Sequence, residues 1–154
     1  QLLAASKEDS LLRERVQQED KYNPLSDESG QDFVLFPPVS GVITGTYDPE
    51  EKHFAIDVAT VKNTPVKATA DGTVILAEWT ADTGYVVVLR HKDNLISVYK
   101  HNASLSVAQG DLVKSGEVIA ASGNTGALTT GPHLHFELWS DGYPINPTNF
   151  IDFN

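Results

Sequence analysis

The chain has 154 residues, of which 40% are hydrophobic, enough for one core of ordinary size with some length to spare. Eleven Lys+Arg stand against 21 Asp+Glu, a net charge of −10. No segment gathers its basic residues into a stripe, which argues against nucleic acid and against electrostatic steering to an anionic surface.

There are no cysteines, which excludes disulfides and thiolate-ligated zinc but leaves the compartment open. No run approaches the roughly 18 apolar residues of a membrane span. The sequence opens on Gln1 with no charged leader before an apolar core, which fits a chain whose targeting segment or longer N-terminal region has been removed.

Ser6-Lys7-Glu8-Asp9 before Leu11-Leu12 has the form of a capping box, and good helix formers follow to Gln18. A short helix over about 7–20 is expected. Its apolar face (Leu11, Leu12, Val16) is thin: either it is a solvated helix, or it docks on the domain, on a partner or on a second copy. Residues 23–32, Asn-Pro-Leu-Ser-Asp-Glu-Ser-Gly-Gln-Asp, read as a linker. The chain thus divides into a helix and linker over 1–32 and a domain over 33–154.

From Phe33 on, short apolar runs alternate with turn residues. Strands are expected at 41–46, 53–59, 65–70, 72–79, 85–91, 95–101, 117–121 and 132–139, with turns at Asp71-Gly72, Asp82-Thr83-Gly84, Asp93-Asn94, Gly110-Asp111, Ser115-Gly116 and Asp141-Gly142. Many short strands at this spacing predict an all-β, antiparallel sandwich or barrel-like domain. Residues 85–89 are apolar on both parities, which places that strand centrally. Val66-Lys67 with Gly72-Thr-Val-Ile75 is echoed by Val113-Lys114 with Gly116-Glu-Val-Ile119, either as a pair of related hairpins or as coincidence.

The last strand carries the strongest signal. In His133-Leu-His-Phe-Glu-Leu138 the histidines and Glu137 have one parity and Leu134, Phe136 and Leu138 the other, the pattern of a half-buried strand. Histidines two apart point the same way with α-carbons about 7 Å apart. His53 and Asp57 are expected to share a strand face, with Ala55 leaving room between them. Together with one of the two strand histidines they make two imidazoles and a carboxylate, a donor set for catalytic zinc with an open position. His101 closes its strand where it can reach the same cleft. Glu137 either orients a histidine or takes a surface ion pair, the latter being the expectation, and His91 is read as structural.

The ordered motifs His53-x-x-x-Asp57, Thr64-Pro65-Val66, Asp71-Gly72-Thr73-Val74, Tyr99-Lys100-His101, Gly110-Asp111-x-Val113-x-x-Gly116, Gly123-Asn124-Thr125-Gly126 and His133-Leu134-His135-Phe136 resemble the catalytic domain of lysostaphin and LytM-type zinc metallopeptidases, which cut peptides of bacterial peptidoglycan. The resemblance runs from about Phe36 to Phe150. It implies a compact antiparallel fold with a duplicated motif and one zinc ion per chain, bound by His53, Asp57 and His135. His101 and His133 would be catalytic without ligating, and Tyr47 would help stabilise the transition state.

The resemblance further implies an extracytoplasmic protein acting on peptidoglycan peptides, with 81–84 and 124–131 walling a substrate groove. Ala55 stands where the family more often has glycine, and Lys100 where smaller residues are common. Two rivals remain at this point. One is a catalytically silent wall-binding or hydrolase-activating module of the same fold. The other is a histidine phosphocarrier, which would gain nothing from Asp57.

Overall fold

The computed structural model describes residues 35–123 and 131–154. The expected N-terminal helix, the linker and the loop over 124–130, including most of the Gly123–Gly126 motif, lie outside the described residues.

Ten strands form among the described residues: β1 (Ile43–Gly45), β2 (Ile56–Ala59), β3 (Pro65–Lys67), β4 (Gly72–Thr80), β5 (Gly84–Arg90), β6 (Leu95–Leu105), β7 (Leu112–Val113), β8 (Val118–Ser122), β9 (His133–Ser140) and β10 (Tyr143–Ile145). Every pairing is antiparallel. The order is β1-β2-β9-β6-β5-β4-β7, with β10 on β9, β8 on β6 and β3 on β8. The all-β antiparallel expectation holds.

The short β7 and β10 escaped the sequence reading because neither is long enough to display a period. β10 is returned to β9 by Asp141 (φ 53) and Gly142 (φ 86), two successive left-handed residues that make the primed turn matching strand twist.

Apolar alternation divides the core by sheet face. Leu134, Phe136 and Leu138 of β9 pack with Ile56, Val58, Val87, Leu89 and Tyr99 on one side. On the face that bears the histidines, Trp139 packs with Ile75, Leu76, Val86, Val88, Ile96 and Val98. Val86 to Leu89 are fully buried, as a strand apolar on both parities requires.

The internal echo is not a pair of hairpins. β3 of the first copy pairs with β8 of the second, Val66 opposite Ala120, and β4 of the first pairs with β7 of the second, Gly72 opposite Val113. The copies interlock crosswise, and backbone bonds from Ala68 N to Glu117 O and from Gly116 N to Ala68 O, both 2.8 Å, close the exchange.

His91 anchors this region, as its structural reading anticipated. It is fully buried, with Nδ1 2.7 Å from the Asp71 carbonyl and Nε2 2.7 Å from Ser97 Oγ. A Cβ on Gly72 would fall 2.8 Å from this imidazole and 2.7 Å from the Arg90 carbonyl, so only glycine lets the strand pass. Burial drives the His91 pKa down to about 4, against the pull of the Asp71 carbonyl, which raises it. The folded chain keeps His91 neutral where the unfolded one, with its ordinary value of 6.5, takes up a proton. This contribution to stability is complete above about pH 6.5 and is lost as pH falls toward 4. His91→Gln should lower stability overall but shrink the difference between urea unfolding free energies measured at about pH 7 and about pH 5.

Candidate metal centre

β9 lies between β2 and β6, and its register sets the site. Asp57 stands directly opposite His135, and Ala59 opposite His133; on the other flank Lys100 stands opposite His135. Opposed residues of an antiparallel pair project from the same face. Asp57, His135 and Lys100 therefore form one row across three strands, while Leu134 and Phe136 are buried beneath.

His53 joins the row by a different route from the one expected. β2 begins only at Ile56, and His53 instead makes an isolated bridge with Asp48. On a continuous strand, residues four apart would have α-carbons about 13 Å apart. A bend at Ala55 folds the segment back and brings His53 Nε2 to 3.1 Å from Asp57 Oδ2. Ala55 is 1% exposed, so it is packed at the bend rather than leaving an opening between the polar groups.

His101 also differs from expectation, since its strand runs on to Leu105. Tyr85 pairs with Asn102 and Val87 with Tyr99, so Lys100 and His101 together oppose Val86 in a β-bulge. In a regular strand these two side chains would point to opposite faces. His101 has φ 67, a left-handed conformation uncommon for a non-glycine residue. Its ring lies 5.3 Å from that of His133 and 5.8 Å from that of His135.

Each of three imidazoles is tied by its outer nitrogen. His53 Nδ1 lies 2.7 Å from the Thr46 carbonyl, and His133 Nδ1 2.7 Å from the Gly131 carbonyl. Carbonyls only accept, so these nitrogens carry the protons. His135 Nε2 meets Glu137 Oε2 at 2.8 Å, and its Nδ1 faces Asp57 Oδ1 at 3.1 Å. His133 Nε2 lies 3.9 Å from the same oxygen.

Donor atoms of His53, Asp57 and His135 all fall within 4.8 Å of one another. Two inward nitrogens and a carboxylate oxygen, with the opposite nitrogens already engaged, fit a zinc ion in ligand type and count.

The electrostatics agree with that fit. Burial raises the Asp57 carboxyl, but hydrogen bonds from His135 and His53 outweigh it and hold the group well below the usual carboxylate range. Burial lowers His135, yet the hydrogen bonds to Asp57 and Glu137 carry it up to about 9. The Asp57 hydrogen bond raises His53, against burial. Protons hold the imidazoles where a cation would compete for the same atoms.

One expectation changes and one residue is new. Glu137 is not at the surface: it is 3% exposed and accepts from His135, from Lys100 Nζ at 2.9 Å and from Trp139 Nε1 at 2.9 Å. Its parity with His133 and His135 carried that signal, but which acceptor and donors meet is set across strands. Tyr47 donates its hydroxyl to the Pro144 carbonyl at 3.1 Å and packs edge-on against Phe54, contacts that turn its hydroxyl to the β10 backbone. Gly45 pairs with Asp57, and a Cβ there would fall 2.5 Å from Asp57 Oδ2. The glycine in the first apolar run was visible, but not the carboxylate it makes room for.

An antiparallel sheet here presents a His–Asp–His donor set, a candidate metal site, beside two further imidazoles. The chain belongs to peptidase family M23, whose model matches residues 51–147. It is 41% identical over 97 residues to the DD-carboxypeptidase/endopeptidase Mpg of Neisseria meningitidis, covering 63% of this chain and 22% of that protein. It is 35% identical over 117 residues to the murein hydrolase activator NlpD of Escherichia coli, covering 74% and 30% respectively. The catalytic domain of the antimicrobial peptidase lysostaphin from Staphylococcus simulans superposes with a TM-score of 0.61 at 28% identity, covering 88% of this chain and 96% of that one. The lysostaphin-type resemblance is thereby borne out, while the chain spans less than a third of either longer relative.

Gly45→Ala should displace the Asp57 carboxylate and weaken divalent-metal binding at least tenfold, measured by chelator competition, with circular dichroism unchanged. Unaltered affinity would show that the carboxylate has room to move without leaving the site.

Proposed function

We propose that the domain over 33–154 is a zinc-dependent endopeptidase that hydrolyses peptide bonds in the stem or cross-link peptides of bacterial peptidoglycan, outside the cytoplasm. The observation that carries this reading is the convergence of donor atoms of His53, Asp57 and His135 beside two further imidazoles: the His101 ring lies 5.8 Å from that of His135, and His133 Nε2 lies 3.9 Å from Asp57 Oδ1. Purely structural metal sites have four protein ligands and no need of flanking bases, whereas three ligands leave a place for chemistry. The substrate class follows from family membership and from what its relatives are called.

In this scheme His53, Asp57 and His135 would hold the ion, which when bound would supply Lewis-acid chemistry for activating water and polarising a carbonyl. His133 has committed Nδ1–H to Gly131, so its inward Nε2 is free to take a proton from the attacking water. His101, beside it at 5.3 Å, donates to the developing oxyanion or to the departing amine. Tyr47 assists only by exchanging its bond to Pro144 for one to substrate. A non-catalytic activator, the reading favoured by the similarity to NlpD, would not need His101 and His133 in addition to the ligands.

Purified peptidoglycan and defined muropeptides, digested by the zinc-loaded protein and analysed by mass spectrometry, test the proposal. His101→Ala should keep stoichiometric zinc and lose roughly 10²–10⁴-fold in turnover, while His53→Ala and Asp57→Ala should lose the metal. Zinc-loaded protein that cleaves no muropeptide yet stimulates another wall hydrolase would establish the activator instead. Tyr47→Phe should reduce turnover with zinc retained; undiminished turnover would assign its hydroxyl to the Pro144 contact alone.

A further inference from the structure

Beneath the donor set lies a buried ionic cluster that metal ligation does not by itself require. Glu137 Oε2 accepts from His135 Nε2 at 2.8 Å and from Lys100 Nζ at 2.9 Å, and Oε1 accepts from Trp139 Nε1 at 2.9 Å. Lys100, Glu137 and Trp139 are at most 4% exposed. A buried carboxylate without a counter-charge is strongly unfavourable, and a half-satisfied pair more so than an apolar substitute. Here both oxygens have donors and a cation balances the charge. With both oxygens so engaged, Glu137 is neither a ligand nor a base for substrate.

The three tied imidazoles are not tied alike. His53 and His133 meet neutral backbone carbonyls, whereas His135 meets an ionic acceptor. An anionic acceptor behind an imidazole fixes the protonated nitrogen and raises the basicity of the other one. Building on the proposed zinc site, we infer that Glu137 is a positioning residue that locks His135 with its proton on Nε2 and its Nδ1 lone pair toward the ion, and that Lys100 and Trp139 hold Glu137 in place. Lys100, opposite His135 in the sheet, is thereby the counter-charge that allows the carboxylate to sit at the base of the site. The larger residue between Tyr99 and His101 has a role here that a small side chain could not fill.

The test measures zinc affinity by chelator competition in the wild-type chain, Glu137→Gln, Glu137→Leu, Lys100→Met and the Glu137→Leu/Lys100→Met double variant. It is paired with the imidazole ¹⁵N–¹H spectrum of the zinc-loaded protein. Glu137→Leu should weaken zinc roughly 10–100-fold and expose the His135 Nε2–H to solvent exchange. Glu137→Gln, which keeps an acceptor oxygen but no charge, should restore the slow-exchanging proton and only part of the affinity. Lys100→Met should weaken zinc on its own but add nothing in the Glu137→Leu background, because it acts through Glu137.

If Glu137→Leu leaves Lys100 uncompensated and does not fold, the isosteric Gln variant and the double variant carry the comparison. Wild-type zinc affinity in Glu137→Gln would overturn the inference, as would full additivity of the two sites. Failure of the wild-type chain to bind zinc would instead sink the metal reading on which it rests.

Discussion

The register of β9 between β2 and β6 governs the rest of the molecule. Side chains alternate with a period of two, so a slip of one residue would turn His133, His135 and Glu137 into the core and bring Leu134, Phe136 and Leu138 to the site. The three apolar residues are fully buried with Ile56 and Val58 of the neighbouring strand. Each contributes about 1.5–3 kcal/mol on burial, a preference that no single polar contact at the site could reverse. The same register places Asp57 opposite His135 on one side and Lys100 opposite it on the other. Hydrophobic packing on the hidden face thus aligns the polar row on the other.

Regular strands alone do not complete the constellation. They deliver Asp57, His133 and His135, but His53 arrives by the bend at Ala55 and His101 by a bulge with φ 67. Backbone in sparsely populated regions costs about 1–3 kcal/mol and persists when its surroundings over-determine it. At His101 the constraints are visible: its N–H donates to the Thr83 carbonyl at 2.7 Å, and the following Asn102 donates to the carbonyls of Tyr85 and Tyr99. The sheet positions most of the donors, and two departures from it position the remainder.

Outer contacts then convert a group of histidines into a directed set. Thr46, Gly131 and Glu137 each take one imidazole nitrogen, so that the opposite nitrogen faces inward. Gly45 leaves the space in which the Asp57 carboxylate sits. Away from the site, the crosswise pairing of β3 with β8 and β4 with β7 ties the two copies of the repeated motif together. It also secures the hairpin whose tip, at Thr83, supports His101.

The sequence by itself determined the β class, the central strand, the chemistry-bearing face of β9 and the identity of the clustered residues. The first three follow from local periodicity and residue type, whereas the choice of His135 over His133 within the cluster came only with the ordered motifs, which matched a family whose membership the comparison bears out. Four features were decided only by the tertiary structure: the bend that brings His53 to Asp57, the bulge at His101, the burial of Glu137 with Lys100, and the crosswise pairing of the repeat. Each depends on which residues stand opposite one another across strands distant in the chain. A periodicity of two identifies a strand's faces but carries no information about its neighbour's register. The Lys100–Glu137 pair makes the point: its members are 37 positions apart in the chain, and only the pairing of β6 with β9 turns a surface-type lysine and glutamate into a buried, mutually neutralising pair.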